Sequence, residues 1–451
     1  MQIRLPFRLG AAGMAVLGVL TAGALPGSAA AAPGDAAADG RYSHGQRVEY
    51  DLTFPVGGSD IYFADDDIPR LAEEYSWSQA RRRMGACTEL HDPDVLLNVF
   101  DLDGSQAERR KEIAERCPEG ARGIASVAMG SGAWVFFDAM LESDAGRHDK
   151  VCRPAWRIHM ASGCPHRCAY CGLGHLMPCM VNVEEYVEGL DRIVQAHPWQ
   201  QVYLYEDDAE ALALEPELGA MRALTDYFAE RENEYVLVHS KSANVDHLLD
   251  LDHRGHTIML WSVTSHTVSR VFEQGSGTTE ERIEAARKCQ EAGFPVRFKY
   301  KPIVPVKDWR DECREMIRLT FEQTKPDVIS FFALAWMTYD DMCKSFDTSL
   351  LDPVYVKAAE ESVEEMKDTR SKPFPHWVRA EIYRFFIDEI RRWDQEVPIS
   401  LSTETWEMWK ELGPLLGQTP ANYMCGCGPQ AVPGCKKLSV VPWEVAVNAT
   451  G

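Results

Sequence analysis

From about residue 156 onwards, short apolar runs of the chain alternate with longer amphipathic stretches. Apolar runs bounded by polar segments indicate buried strands, and apolar residues at helical spacing indicate covering helices. The runs predict strands at Trp156–Ala161, Gln201–Tyr205, Tyr235–Ser240, Thr257–Val263, Pro295–Pro302, Val328–Trp336 and Pro398–Thr403. The stretches between them predict helices at Asn182–His197, Glu217–Glu232, Thr278–Ala292, Asp308–Thr324 and Trp377–Trp393. Repeated strand–helix units indicate an α/β fold, a partial (β/α) barrel of about six parallel strands with its ligands at their carboxyl ends.

The first 150 residues lack this alternation. Residues 1–34 contain Arg4 and Arg8 but no acidic residue, and the uncharged run Leu9–Leu25 is followed by small residues. This is the layout of a cleavable presequence, and the run is short for a membrane span. Residues 35–150 are irregular and rich in Asp and Gly, so we expect an elaboration that packs against the main domain and contains a small strand pair. The predicted divisions are a presequence-like segment at 1–34, an elaboration at 35–150, a barrel at 151–415 and a Cys-rich tail at 416–451.

Composition restricts the partners and the compartment. The net charge of −22 argues against a protein that coats nucleic acid, although a local basic groove is still compatible with it. Thirteen cysteines occur in the chain, and six of them lie in two tight clusters, which fits metal binding better than a disulfide scaffold. We therefore expect the cytoplasm or an organellar matrix or stroma rather than secretion, and no stable membrane span once the presequence is removed.

The most informative cluster is Cys164-x3-Cys168-x2-Cys171, which directly follows the first predicted strand. Three thiolates on one short loop form an incomplete metal site, because a structural zinc ion takes four protein ligands. Thiolates also anchor iron–sulfur clusters, and three ligands on a four-iron cluster leave one iron open for a substrate or cofactor. The alternative is a zinc knuckle that a distant Cys or His completes.

The cysteine spacing, together with segments dispersed over residues 155–415, resembles the spore photoproduct lyase family of radical S-adenosylmethionine enzymes. The segments that carry the resemblance are His239–Asp246, Leu260–Thr264, Thr279–Ala286, Tyr383–Ile390 and Val397–Leu401. The resemblance implies a [4Fe–4S] cluster on Cys164, Cys168 and Cys171, whose open iron chelates S-adenosyl-L-methionine and yields a 5′-deoxyadenosyl radical. It also implies an electron donor such as ferredoxin or flavodoxin.

The same resemblance suggests which residues contact the cofactor. A lysine after the third strand and a serine after the fourth have these roles in the family, and Lys241 and Ser262 match them here. An ammonium at Lys241 can pair with the methionyl carboxylate, and a hydroxyl at Ser262 can hydrogen-bond the same group or the ribose. Asp207, in the acidic patch at the end of the second strand, suits the methionyl amino group. We expect Glu210 in the same patch to be solvated.

Two departures from the family pattern concern the reaction. The family returns a hydrogen atom through a cysteine at the end of the second strand, but the matching segment Glu206–Ala209 contains none. Gly172 replaces a tyrosine after the third cluster cysteine, whereas Tyr170 inside the loop is kept as the candidate catalytic residue. Fold and radical generation are therefore expected, while the substrate stays open and nucleic acid is disfavoured. The alternatives are a DNA photoproduct lyase and a non-catalytic metal-binding or interaction protein that retains the fold.

A second cysteine group lies near the carboxyl terminus. Cys425, Cys427 and Cys435 sit in a Gly- and Pro-rich segment that cannot form a long helix or strand. They predict a second metal or an auxiliary cluster, with a fourth ligand from Cys152 or Cys117. The alternative is a disordered tail with incidental thiols.

Overall fold

The computed structural model describes residues 150–438 with short gaps, and a few short strands before residue 150. The gaps fall at 153–154, 162, 172–175, 181–182, 197, 199, 208 and 421–422. In this part of the chain, seven parallel strands form one sheet. They are β1 (Ala155–His159), β2 (Val202–Tyr205), β3 (Tyr235–Ser240), β4 (Thr257–Val263), β5 (Val296–Ile303), β6 (Ile329–Ala333) and β7 (Ile399–Leu401).

The parallel strands lie side by side in the same order as they occur along the chain. Right-handed crossovers that always advance in one direction place every connecting helix on the same face of the sheet. The opposite face then curves round to enclose an interior, as in an open barrel. The predicted α/β fold with a partial (β/α) barrel is confirmed, and its seven parallel strands correspond to the seven apolar runs of the sequence.

Helices cover the outer face of the sheet. Their bounds are α1 Val183–Ala196, α2 Ala220–Ala229, α3 Thr279–Glu291, α4 Trp309–Gln323, α5 Tyr339–Ser345, α6 Pro353–Glu361, α7 Val363–Met366, α8 His376–Trp393 and α9 Trp406–Leu416. Helix α1 buries Val183, Leu190 and Val194 on one side, as its amphipathic spacing predicts. Helix α3 begins with a capping box in which Thr278 and Glu281 each accept from the other's backbone N–H. A π-helical turn at Val268–Phe272 and a 3-10 turn at Thr348–Leu350 complete the helical segments.

Most of the predicted N-terminal divisions lie outside the described residues. Of residues 1–34 only Ile3–Arg4 is described, as a short strand paired with Asp94–Asn98, which also pairs with Leu176–Met180. Between residues 35 and 150, Tyr50–Phe54 and Gly57–Ile61 form a hairpin, and the strand Gly132–Phe136 pairs antiparallel with β1. None of the helices within the described residues has the length and apolar character needed to cross a bilayer.

Residues 423–438, which we call the C-terminal plug, pack across the amino ends of the strands. The carbonyl oxygen of Pro429 accepts from the backbone N–H of Val202, the first residue of β2. Near the start of β5, the buried guanidinium of Arg297 donates to the carbonyls of Gly426 at 2.9 Å and Ala431 at 2.5 Å. The plug therefore occupies the lower end of the barrel and leaves the carboxyl ends of the strands to the cavity described below.

Candidate active site

A cavity of about 320 Å³ lies at the carboxyl ends of the strands. We call it the chamber. Its wall includes the three loop cysteines Cys164, Cys168 and Cys171, and the predicted cofactor residues Lys241, Ser262 and Asp207. Residues that are separated by up to about a hundred positions in sequence thus meet at one concave surface, where barrels of this type bind their ligands.

The cysteine loop is fixed by backbone pairing. Its two-residue strand Arg167–Cys168 pairs antiparallel with Glu273–Gln274, and the N–H of Ala169 donates to the carbonyl of Phe272 at 2.7 Å. Gly163, with φ 82°, occupies the left-handed region as the chain turns from β1 into the loop. The loop is thereby held against the chamber by a segment that lies more than a hundred residues away in the sequence.

The thiols of the loop suit a four-iron cluster. Burial raises the pKa of Cys164 and of Cys168, and Glu210 and Glu273 respectively raise it further, so each thiol is neutral unless a metal neutralises the thiolate. No three His, Cys, Asp or Glu side chains in the described part of the chain are close enough together to hold one ion. A cluster places its ligands on separate irons, so its thiolates need not meet at one point. Three thiols on one chamber wall fit that donor set.

Glu273 is the centre of a buried ionic network behind the loop. Its carboxylate is inaccessible to solvent and accepts from Lys241 Nζ at 2.7 Å and from the Arg282 guanidinium at 2.5 Å. The hydroxyls of Thr264, at 2.8 Å, and of Tyr170 donate to it as well. Burial alone would raise the pKa of Glu273, but Arg282 and Lys241 hold it well below its usual range. The carboxylate is therefore ionised and fixes both Lys241 and Tyr170 beside the cysteines.

Tyr170, the candidate catalytic residue, is held firmly. Its ring stacks on Phe346 with centroids 6.5 Å apart, and its hydroxyl donates to Glu273. Burial, with the nearby Cys168 and Glu273, raises its pKa well above the usual value. The phenol is therefore neutral, and it lies on the chamber wall beside the cysteine loop.

The predicted cofactor residues Lys241 and Ser262 both line the chamber. Ser262 lies within β4 rather than after it, and its Oγ is 2.7 Å from Nε2 of His239 on β3. Burial and the positive charges of Lys299 and other cations hold the pKa of His239 well below its usual value, so this imidazole is neutral. Lys241 follows β3 directly and also donates to the carbonyl of Lys301 at 3.0 Å.

The acidic patch after β2 is more buried than we predicted. The expectation of a solvated Glu210 is wrong, because its side chain accepts from Ser240 Oγ and from the Lys241 N–H at 2.8 Å, and it lies 3.3 Å from His166 Nε2. Glu210 is therefore a buried part of the chamber wall, held by neighbours from the cysteine loop and from β3. Glu206, at φ 56°, is also buried, and it accepts from two backbone N–H groups at the end of β1.

Asp207, the third predicted cofactor residue, is partly accessible from the chamber. It accepts from the Arg157 guanidinium and lies 3.3 Å from Nε2 of His159. Burial raises its pKa, but Arg157 and His159 outweigh that effect and lower it. The ionised carboxylate is therefore shared with groups of the protein itself.

The sequence interpretation missed a row of cations on β5. Arg297, Lys299 and Lys301 alternate with buried apolar residues, so the period of the strand turns all three towards the barrel interior. Burial, and then the charge of Lys299, lower the pKa of Lys301 to about 7. The alternation Val-Arg-Phe-Lys-Tyr-Lys was visible in the sequence, and it is the signal that could have identified these residues.

The second cysteine group lies in the C-terminal plug. The sulfurs of Cys425 and Cys427 are 3.8 Å apart, and Lys299 Nζ lies 3.7 Å from Cys427 Sγ. Cys435 instead donates to the carbonyl of Lys437 at 3.0 Å. Of the suggested fourth ligands, Cys152 is buried, whereas Cys117 lies outside the described residues. The second metal stays a prediction.

Comparison with known proteins gives consistent matches. The family model of spore photoproduct lyase matches residues 150–340. The spore photoproduct lyase of Bacillus subtilis is 27% identical over 168 residues, which cover 36% of this chain and 49% of that protein. The spore photoproduct lyase of Clostridium acetobutylicum is 24% identical over 179 residues, which cover 38% of this chain and 53% of that protein. The chain thus spans about half the length of the curated relatives it matches. A solved structure of a spore photoproduct lyase mutant gives a TM-score of 0.46 at 17% identity, over 55% of this chain and 76% of that one.

Proposed function

We propose that this chain is a radical S-adenosylmethionine enzyme, because its residues 150–340 match the family model of spore photoproduct lyase. The proposal assigns to it a [4Fe–4S] cluster, S-adenosyl-L-methionine as cofactor and a substrate other than a DNA photolesion. The observation that carries it is the shared chamber, which brings Cys164, Cys168 and Cys171 together with Lys241 and Ser262.

The chamber residues have distinct roles in this proposal. A three-thiolate cluster with an open iron supplies, together with S-adenosylmethionine, a 5′-deoxyadenosyl radical when it is bound and reduced. Cys164, Cys168 and Cys171 hold the cluster, and the Lys241 ammonium pairs with the methionyl carboxylate. Ser262 orients the same molecule through its hydroxyl.

The support of these groups is also part of the proposal. Glu273 holds Lys241 and Tyr170 in fixed positions, which lowers the entropy that binding must remove. Asp207 is the carboxylate proposed for the methionyl amino group, which it would share with Arg157. A chamber that surrounds the reacting groups also excludes water from the radical.

The substrate is proposed to differ from that of the lyases, since the segment Glu206–Glu210 carries no thiol. The cysteines that line the chamber, among the described residues, are those of the cluster loop. A thiol hydrogen donor at the end of β2 is therefore not available in this chain. We expect weak or absent repair of spore photoproduct by the purified, reconstituted protein, and efficient turnover of that lesion would refute this.

The reaction needs an external reductant, for which we propose a low-potential carrier such as ferredoxin or flavodoxin. Free cysteines in the described part of the chain, some of them on the chamber wall, also fit a reducing compartment. We therefore propose the cytoplasm or an organellar matrix or stroma as the location.

The proposed function is tested by anaerobic reconstitution of the full chain with iron and sulfide. We expect about four irons per chain from the first cluster, an iron–sulfur absorbance, and release of 5′-deoxyadenosine after addition of dithionite and S-adenosylmethionine. Cys168→Ser should lose the absorbance and the product. Cys343→Ser, which alters an exposed thiol outside the loop, is the matched control and should keep both.

Three results separate this proposal from its alternatives. Tight zinc binding without iron incorporation would indicate a zinc site instead. An assembled cluster that neither binds nor cleaves S-adenosylmethionine would favour a non-catalytic metal-binding protein. If the cofactor binds, Lys241→Ala should weaken its binding about tenfold or more, because a charge-assisted hydrogen bond is lost.

A further inference from the structure

The three inward cations of β5 do not have equivalent partners. Arg297, at the lower end, pairs with Asp327 at 2.8 Å and with carbonyls of the C-terminal plug. Lys299, in the middle, lies against Cys427 Sγ at 3.7 Å. Lys301, at the upper end, is the one of the three that lines the chamber.

The Lys301 ammonium has aromatic neighbours but no anionic partner within ion-pair distance among the described residues. Its Nζ lies 4.9 Å from the centroid of the Phe332 ring and 5.0 Å from that of the Trp336 ring. The charges that act on it are the cations Lys299 and Lys241, the carboxylate of Asp207 and the thiol of Cys427. An ammonium has three N–H donors, and aromatic faces attract its charge without accepting them in good hydrogen-bond geometry. Donors directed into a cavity in this way suit an oxyanion.

Trp336 adds a second and independent feature to this side of the chamber. Its φ of 68° lies in the left-handed region, which a bulky side chain rarely adopts, and its N–H donates to the carbonyl of Arg370 at 3.0 Å. The residue is nevertheless 46% exposed, and the centroid of its ring lies 4.8 Å from that of Phe332. Strained backbone of this kind persists where function requires a particular side-chain position. Here it presents a large flat ring beside an ammonium.

We propose that Lys301 and Trp336 form the substrate site of the chamber, and that the substrate is a small molecule in which an anionic group is joined to a planar ring. The anion, a carboxylate or a phosphate, binds the ammonium, and the ring stacks on the indole. The naming of this ligand as the substrate rests on the proposed function. The position agrees with it, because the carbonyl of Lys301 accepts from Lys241, the proposed cofactor lysine.

The charge distribution favours a small anion over a nucleic acid. A phosphate backbone is bound by rows of exposed cations, whereas the chain has a net charge of −22 and Lys241, the other lysine that lines the chamber, is paired with Glu273. A single ammonium between two rings matches one anionic group. Tight binding of a single-stranded oligonucleotide that is independent of Lys301 would contradict this choice.

The test uses calorimetric binding of two anionic probes, indole-3-carboxylate and phenyl phosphate, and of the neutral indole-3-carboxamide. We expect Lys301→Met to weaken the binding of both anions about tenfold or more, because one charge-assisted interaction is lost. The affinity for the neutral carboxamide should change little. Lys301→Arg should retain anion binding, while Trp336→Leu should weaken all three probes. Lys307→Met, a change of an exposed lysine after the same strand, is the matched control and should bind like the wild type.

The outcomes separate this proposal from the proposed function. Binding is measured on the full chain both as purified and after reconstitution, so it does not depend on 5′-deoxyadenosine release. Cofactor cleavage without binding of either anion, or equal anion binding by wild type and Lys301→Met, overturns the anion site and leaves the radical function standing. Anion binding that depends on Lys301, without cofactor cleavage, supports the anion site and overturns the radical function. If Lys301→Met does not fold, Lys301→Gln replaces it, and its thermal unfolding is compared with that of Lys307→Met.

Discussion

Replacement of Glu273 by Gln tests the ionic network behind the cysteine loop. The substitution keeps the volume of the side chain but removes its charge from a site that solvent does not reach. Arg282, equally buried, and the largely buried Lys241 then lose their common counter-ion. An uncompensated buried charge of this kind costs about 3–5 kcal/mol. We expect the free energy of unfolding in urea to fall by that amount, with looser binding of S-adenosylmethionine.

The matched control is Glu284→Gln on α3. Glu284 pairs with Arg287 one helical turn away, but 44% of its side chain is exposed, so the change should cost about 0–1 kcal/mol. Equal losses in the two variants would refute the argument that the Glu273 network is shielded from solvent. The pH dependence adds a check, because the folded-state pKa of Glu273 is depressed. Its stabilisation is fully present above about pH 4.5 and is lost as the pH falls from there through the depressed folded-state pKa. The free energies of unfolding of the wild type and of Glu273→Gln should therefore converge in acid.

Three further predictions concern the β5 cations and the C-terminal plug. Arg297→Met should leave two carbonyls of the C-terminal plug without their donor, so amide hydrogen exchange of the plug should become roughly tenfold faster or more. Unchanged exchange would show that the plug is held by other contacts. Because Lys301 must be protonated to bind an anion, binding of the anionic probes should weaken as the pH rises through about 7, and the midpoint should be somewhat higher when the anion is bound. A calorimetric affinity that does not change with pH would contradict this prediction. If the predicted second metal exists, replacing Cys425 and Cys427 by Ala should lower the iron content of reconstituted protein by a fixed increment, and an equal content would leave these thiols without a metal role.

Most of the strands were predictable because parallel strands that are buried on both faces are continuous apolar runs. The prediction failed locally at Val328–Trp336, where β6 ends at Ala333. Leu334 and Met337, which follow the strand, are apolar residues of the chamber wall. In the sequence, such residues look like a continuation of the buried strand. Helices α5 to α7 were missed because they are short, and short helices carry little periodic signal. Helix α9, of 11 residues, was not predicted either.

The site was predictable only where its chemistry is local in the sequence. The cysteine triplet occupies eight residues, so its spacing alone indicates a metal loop. Glu273 reaches the same loop by antiparallel pairing with Cys168, and no pattern near residue 273 indicates that neighbour. Glu210 was wrongly expected in solvent for the same reason, since its partners come from the loop and from β3. Such contacts are determined by the tertiary fold.

The hydrogen bond between Lys241 and the carbonyl of Lys301 has a thermodynamic consequence. One peptide unit supports the lysine proposed for the cofactor, and the side chain of the same residue extends towards the proposed substrate. A ligand that shifts this peptide unit when it binds also shifts the position of Lys241. By linkage, the cofactor must then change the affinity for that ligand by the factor by which the ligand changes the affinity for the cofactor. Each binding constant therefore has a defined value only when the occupancy of the other site is stated.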